Sequence, residues 1–279
     1  MALAGLFLHI GAAAAHHDGP VLPLSLNAPG AVGGLGNPVG ETQTKFGVAS
    51  RAFRISDHAL YGRVTGGDST VLFNGLYGAL ALSPQWSVEA LVPLVTDMPE
   101  GSDTHSHTGL GDLRLGLRWF EPLEHLGLQL MLGAETAVPT GDADRGFGAG
   151  AAVSRVSARL ARDLPSVNLR LFAEAGLAWA WEPRRGTMVD VALAGMWQAW
   201  SPLSVFCEVR VLTALERGRE KPLEFVGRTR APGDTSVVLT PGLIVGATDR
   251  ISIALGPQIP LGFKDFDYGV AASATYKLN

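Results

Sequence analysis

Residues 109–120 read GLGDLRLGLRWF, and residues 127–138 read GLQLMLGAETAV. In the first stretch Leu113, Leu115, Leu117 and Trp119 share one parity, and Asp112, Arg114, Gly116 and Arg118 share the other. The second sets Leu128, Leu130, Leu132 and Ala134 against Gln129, Met131, Gly133 and Glu135. A period of two makes each stretch a strand with one apolar and one polar face. A short Pro-containing break joins them as a hairpin. Each arm is about ten residues, the length a tilted strand needs to cross the hydrocarbon of a bilayer. The rest of the chain repeats this unit.

The bulk composition agrees. The 279 residues suffice for one large β domain or two small ones, and the net charge of -4 leaves no basic footprint for nucleic acid. Hydrophobic residues make up 47% and charged ones only 17%, sparse for a water-facing surface. No apolar run of about twenty residues, the length a spanning helix needs, lies outside a strand-like alternation. The single Cys207 excludes an internal disulfide framework. It sits on the apolar parity of its strand with Leu203, Val205, Val209 and Val211, as a small buried or lipid-facing hydrophobe.

Three segments are expected. Residues 1–15 are a short apolar run ending in alanines and read as a secretory signal peptide, although no Lys or Arg precedes the apolar core. Residues 16–42, rich in Gly, Pro, Asn and Ala, read as a flexible periplasmic lead-in. Residues 43–279 read as an all-β, transmembrane, antiparallel up-and-down barrel of about twelve strands in the outer membrane, both termini periplasmic. The strands are expected near 43–55, 69–82, 86–95, 110–120, 127–138, 149–162, 166–180, 187–200, 203–215, 235–247, 250–261 and 266–278. Links after even strands are tight, such as Ser83–Gln85 and Ser201–Pro202. Those after odd strands, such as Ser56–Asp68 and Thr96–Gly109, are longer and more polar, except 262–265. Short turns at one end and long loops at the other are the mark of outer-membrane barrels.

One parity presents Val88, Ala90, Val92 and Leu94; Val167, Leu169, Leu171 and Leu177; Val189, Val191 and Leu193; and Ile251, Ile253 and Leu255 to lipid. Trp86, Trp119, Phe120, Trp179, Trp181, Trp197, Trp200 and Phe263 gather near strand ends as an interfacial girdle. The other parity carries Lys45, Arg51, Glu89, Asn168, Asp190 and Lys277 beside many Gly and Ala, which leave room inside a closed cylinder. An open edge in lipid would strand backbone N–H and C=O groups, so the sheet must close. Pro241 removes one ladder donor and is expected to mark a bulge or a strand end.

At Gly109, Leu110, Gly111 and Asp112, and again at Pro139, Thr140, Gly141 and Asp142, the chain resembles the outer-membrane transporters named for the meta-pathway of phenol degradation. In that family a Gly-Leu-Gly-Asp strand start is followed, after a hairpin, by a Pro-Thr-Gly-Asp loop. The likeness of layout runs over about residues 43–279 and implies a twelve-stranded barrel with a transport role. Such barrels usually end in an aromatic residue read by the outer-membrane assembly machinery, whereas this chain ends Tyr276, Lys277, Leu278, Asn279.

The expected lumen carries Asp112, Arg114, Arg118, Glu135, Arg155, Arg159, Arg170, Glu174, Glu208 and Arg210, a slight cationic excess. These residues either line a path for small anionic or aromatic solutes or pair across the interior and plug it. Channel or transporter is the leading reading, with lipid and a small solute as partners, no nucleic acid and no cofactor. Two rivals remain. Ser106 between His105 and His107, near Asp103, raises a lipid hydrolase, against which stands the difficulty of holding adjacent loop residues in catalytic register. A barrel that binds a metal or partner through its outer loops is the other. His105 with His107, at i and i+2, or His16 with His17 behind a freed amine, are its candidate ligands.

Overall fold

The computed structural model describes residues 54–64, 69–83, 85–99, 106–142, 147–148, 150–181, 186–200, 202–215, 224–225, 228–229, 235–246, 251–262 and 266–277. Twelve long strands follow in chain order: β1 (Arg54–Val64), β2 (Ser69–Ala81), β3 (Trp86–Pro99), β4 in two pieces (His107–Leu110 and Leu113–Leu123), β5 (Leu128–Val138) and β6 (Val153–Leu164). The series continues with β7 (Leu169–Ala180), β8 (Gly186–Trp200), β9 (Leu203–Ala214), β10 (Thr235–Gly246), β11 (Ile251–Gly262) and β12 (Phe266–Lys277). A two-rung ladder, Glu224–Phe225 against Arg228–Thr229, lies apart. Among the described residues no helix is long and apolar enough to cross a membrane.

Each long strand pairs antiparallel with its sequence neighbours, and β1 pairs with both β2 and β12. The ring of hydrogen bonds therefore closes. Closure removes every free edge, which is what a sheet in lipid requires. The even strand number brings the chain back to the end at which β1 began.

Two tight turns show how the sequence makes that end compact. Glu124–Leu126 and Pro165–Val167 each form one 3₁₀ turn, closed by a left-handed residue, Gly127 (φ 62°) and Asn168 (φ 51°). Glycine meets no steric penalty there, and Asn is among the few side chains that tolerate it. Val167, expected on the lipid face of a strand, is consequently a turn residue.

The lipid-facing parity stands as read: Leu115, Leu117, Leu132, Val156, Leu171, Leu193, Val209, Ile253 and Leu255 are all exposed large hydrophobics. Cys207 is exposed on the same face. Trp86, Trp181, Trp197 and Trp200 are exposed near strand ends. Phe120 is a correction to the girdle. It falls on the inner parity and packs against a buried apolar cluster, because Trp119 already takes the outward position beside it. Phe263 lies outside the described residues.

Three further expectations change. The first described strand is Arg54–Val64, so most of the supposed long link Ser56–Asp68 is strand, while residues 43–53 of the expected first strand lie outside the described residues. Ser56, Asp57 and His58 interrupt the apolar alternation and read locally as loop. The free edges of β2 and β12 nevertheless need a partner, and 54–64 supplies ten or more rungs to each. Pro241 neither bulges nor ends its strand. Register with β11 is the same on both sides, Leu239 opposite Ile259 and Leu243 opposite Leu255, but the rungs between are missing where Pro241 faces Pro257. Finally, β4 is interrupted: Leu94 faces Leu110 while Leu91 faces Arg114. Three steps along β3 match four along β4, so Gly111–Asp112 forms a bulge. The leader, the lead-in, Lys45, Arg51, His16 and His17 lie outside the described residues.

Candidate functional site: the charged interior of the barrel

The inner face is layered along the barrel axis. Toward the short-turn end lie Ala161, Phe172, Ala194, Met196, Phe206, Ile244 and Ala254, with Phe120 and Met131 packed against them. Toward the long-loop end lie Ala137, Val153, Ala178, Ala180, Met188 and Leu212. Between these apolar layers sits a belt of charge.

Arg155 on β6 is the centre of that belt and is 1% exposed. Its Nε donates to Asp190 Oδ2 at 2.9 Å, and its Nη2 donates to Asp190 Oδ1 at 2.7 Å and to Glu174 Oε1 at 2.5 Å. Nη1 approaches Glu135 Oε1 at 3.9 Å. Glu174 also accepts from Arg159 Nε at 3.3 Å, and Asp190 from Arg210 Nη1 at 2.7 Å. Arg210 Nε completes the chain by donating to Glu208 Oε1 at 3.1 Å. Seven side chains from five adjacent strands, β5 to β9, thus form one connected network. Fork-shaped guanidinium contacts to carboxylates are the strongest of the charged hydrogen bonds and fix geometry as well as energy.

Register explains how so many long side chains fit. Across β4 to β8 one row reads Arg118, Gly133, Ser157, Gly176, Asp190. The three central members are small. A β-carbon on Gly176 would collide with Asp190 Oδ2 and Arg155 Nη2, so glycine there leaves the room the network occupies. Rows on either side carry Glu135 with Arg155, and Arg159 with Glu174.

The remaining expected lumen residues are placed as follows. Arg118 Nη2 pairs with Glu89 Oε2 at 2.8 Å. Arg114 is buried beside the network. Arg170 stands nearer the short turns, paired with Asp163 at 3.2 Å, hydrogen-bonded to Gln129, and over the Phe172 ring at 5.5 Å from its centroid. All ten residues face inward, but Asp112 stands apart at the bulge rather than in the belt. Glu89 and Asp190, on the inward parity yet left out of the lumen set, are both buried in it. Among the side chains described there, six arginines lie with six carboxylates, the half-buried Glu135 included. Arg210 Nη2 is a buried donor with no acceptor among the described residues.

Asp112 and the two Gly-rich motifs form a clasp at the long-loop end. The Gly141 N–H donates to Asp112 Oδ1 at 2.9 Å. The Thr140 hydroxyl accepts from the Leu113 N–H at 2.8 Å and donates to the Gly111 carbonyl at 3.1 Å, replacing rungs lost at the bulge. Phe147, 5% exposed, lies over Gly109 and Gly111, and side chains at those glycines would collide with it or with Pro93. The described parts of the loop after β5, Pro139–Asp142 and Phe147–Gly148, are therefore folded onto the inner wall.

Ser106 and His107 are exposed at the start of β4, with no side-chain hydrogen bond among the described residues, and His105 lies outside them. No group of three or more candidate metal ligands occurs among the described residues.

A closed antiparallel cylinder, apolar outside and charged within, defines a transmembrane-type β-barrel. No family model and no curated protein matches the chain. Among solved structures it is similar to an outer membrane channel from Pseudomonas putida F1, with a TM-score of 0.66 at 11% identity over 81% of this chain and 95% of that one. It is also similar to the NanC porin, with a TM-score of 0.53 at 10% identity over 82% and 100% of the two chains. The KdgM porin gives 0.53 at 7% identity over 81% and 99%. At these identities the likeness shows the fold.

Proposed function

We propose that this chain is an outer-membrane channel or transporter for small solutes, exported by its N-terminal leader, and that the described conformation is its closed state. The observation that carries the closed state is the burial of the charged belt. Arginines lining an open, water-filled lumen would be solvated, whereas here Arg155, Arg159, Arg118 and Arg210 are at most 7% exposed. Passage then requires the belt to part, and a solute that replaces one of its carboxylates lowers that barrier most. The two apolar layers, with Phe120, Phe172 and Phe206 in one of them, suit an aromatic body. Arg210 Nη2 offers a buried donor to an anionic oxygen.

An aromatic anion satisfies both layers and belt. The clasp joining the Gly-Leu-Gly-Asp and Pro-Thr-Gly-Asp segments supports membership of the transporter family those segments resemble. The porin and channel folds described above support the outer membrane as its location.

The test is flux into liposomes bearing the full chain, with benzenesulfonate, whose fixed charge keeps it from crossing lipid alone, against neutral arabinose. Benzenesulfonate is expected to enter several-fold faster than arabinose, and Arg210→Gln is expected to narrow the difference. Entry of neither solute above protein-free liposomes would overturn the reading.

A further inference from the structure

The lipid face of the barrel is not uniformly convex. Near the short-turn end, β5 to β9 line an open groove of about 540 Å³ whose walls include Leu128, Leu160, Leu171, Ala173, Leu193 and Cys207, with Arg162 among them. The small residues Ala173 and Gly195 make the hollow between larger neighbours. At Gly195 a β-carbon would meet only Leu171 and Leu169 side-chain atoms, at 3.7 and 3.8 Å, so space begins at that backbone.

Arg162 is what gives the groove an occupant. It is exposed and shares the outward parity of Val156, Ala158 and Leu160. It has no ion pair or side-chain hydrogen bond among the described residues. Its neighbour Asp163 is committed to Arg170 at 3.2 Å and Gln129 at 3.4 Å. A lone cation on a lipid-facing row, two residues from the strand end, lies at headgroup depth and not in hydrocarbon. Trp197 and Trp200, exposed at the same end of β8, mark that depth independently.

We propose that this groove is a binding site for one anionic phospholipid of the leaflet at the short-turn end. One acyl chain lies along Leu160, Ala173 and Leu193, and the phosphate rests against Arg162. The site rests on the membrane reading above. It differs from the general lipid coat in having a cavity to order one chain and a charge to select the headgroup.

Native mass spectrometry of the full chain in detergent tests it, using dioleoyl phosphatidylglycerol and, separately, dioleoyl phosphatidylcholine. The wild-type chain is expected to retain one phosphatidylglycerol in preference to phosphatidylcholine. Arg162→Gln is expected to weaken that retention about fivefold, the usual effect of one basic residue near an anionic surface. Arg162→Lys should keep most of it. Gly195→Leu fills the groove and leaves the charge, and should abolish retention of a single lipid. Each variant is used only if it keeps a heat-modifiable band. Equal retention of both lipids, or retention indifferent to both Arg162→Gln and Gly195→Leu, would overturn the site and leave the barrel untouched. Failure of the wild-type chain to enter vesicles would instead overturn the membrane reading itself.

Discussion

Arg155 shows what a charge needs in order to stay inside a barrel wall. Its guanidinium is 1% exposed, so desolvation is nearly complete, and the contacts to Asp190 and Glu174, with Glu135 beyond them, offset it. Removing one partner of such a set is worse than removing both, because the survivors remain buried and charged. Arg155→Gln is therefore expected to destabilise the barrel by about 3–5 kcal/mol. Adding Glu174→Gln should recover part of that loss. Urea unfolding in detergent, followed by tryptophan fluorescence, reads both. The polar parity of these residues was legible from period two alone. Their partners were not. Asp190 is the one charged residue of its strand, and nothing local says that Gly176 on the neighbouring strand leaves it room to reach Arg155. Phe120 shows the opposite failure: aromatic identity and a place near a strand end suggest a girdle, and only parity reveals that it points inward.

At the scale of the element, β4 depends on a hydroxyl from another segment. The bulge at Gly111–Asp112 shifts the β3 register and leaves the Leu113 N–H and Gly111 C=O without sheet partners, and the Thr140 side chain takes both. Thr140→Val keeps the shape and removes both bonds, so it is expected to cost about 1–3 kcal/mol. Thr140→Ser should stay close to the parent, and the midpoint of thermal unfolding separates the two. A looser loop after β5 in Thr140→Val should also be cut sooner by added protease. The two motifs were visible in the sequence as a spaced pair. Their mutual clasp was not, since it joins residues about thirty positions apart through one hydroxyl and one carboxylate. Ser56–Val64 was read as a link and not as strand for a related reason. Its alternation is weak, and its conformation follows from the needs of β2 and β12 on either side.

At the scale of the molecule, one physical fact organises the rest: the two faces of every strand meet different surroundings. That fact was legible, because it repeats in nearly every strand and because most connections alternate between short and long. Whether the interior holds water or is filled depends on how side chains from β5 to β9 interlock, which no strand records by itself. Filled, it demands that conduction be limited by the charged belt. The most direct test is single-channel current across a planar bilayer, comparing the parent chain with Arg155→Gln/Glu174→Gln, in which the central Arg155–Glu174 contact becomes neutral and the bonds to Asp190 and Arg159 weaken. The account predicts that both insert, that the parent conducts weakly, and that the double variant conducts several-fold more. Equal currents from the two, or no insertion by either, would contradict it.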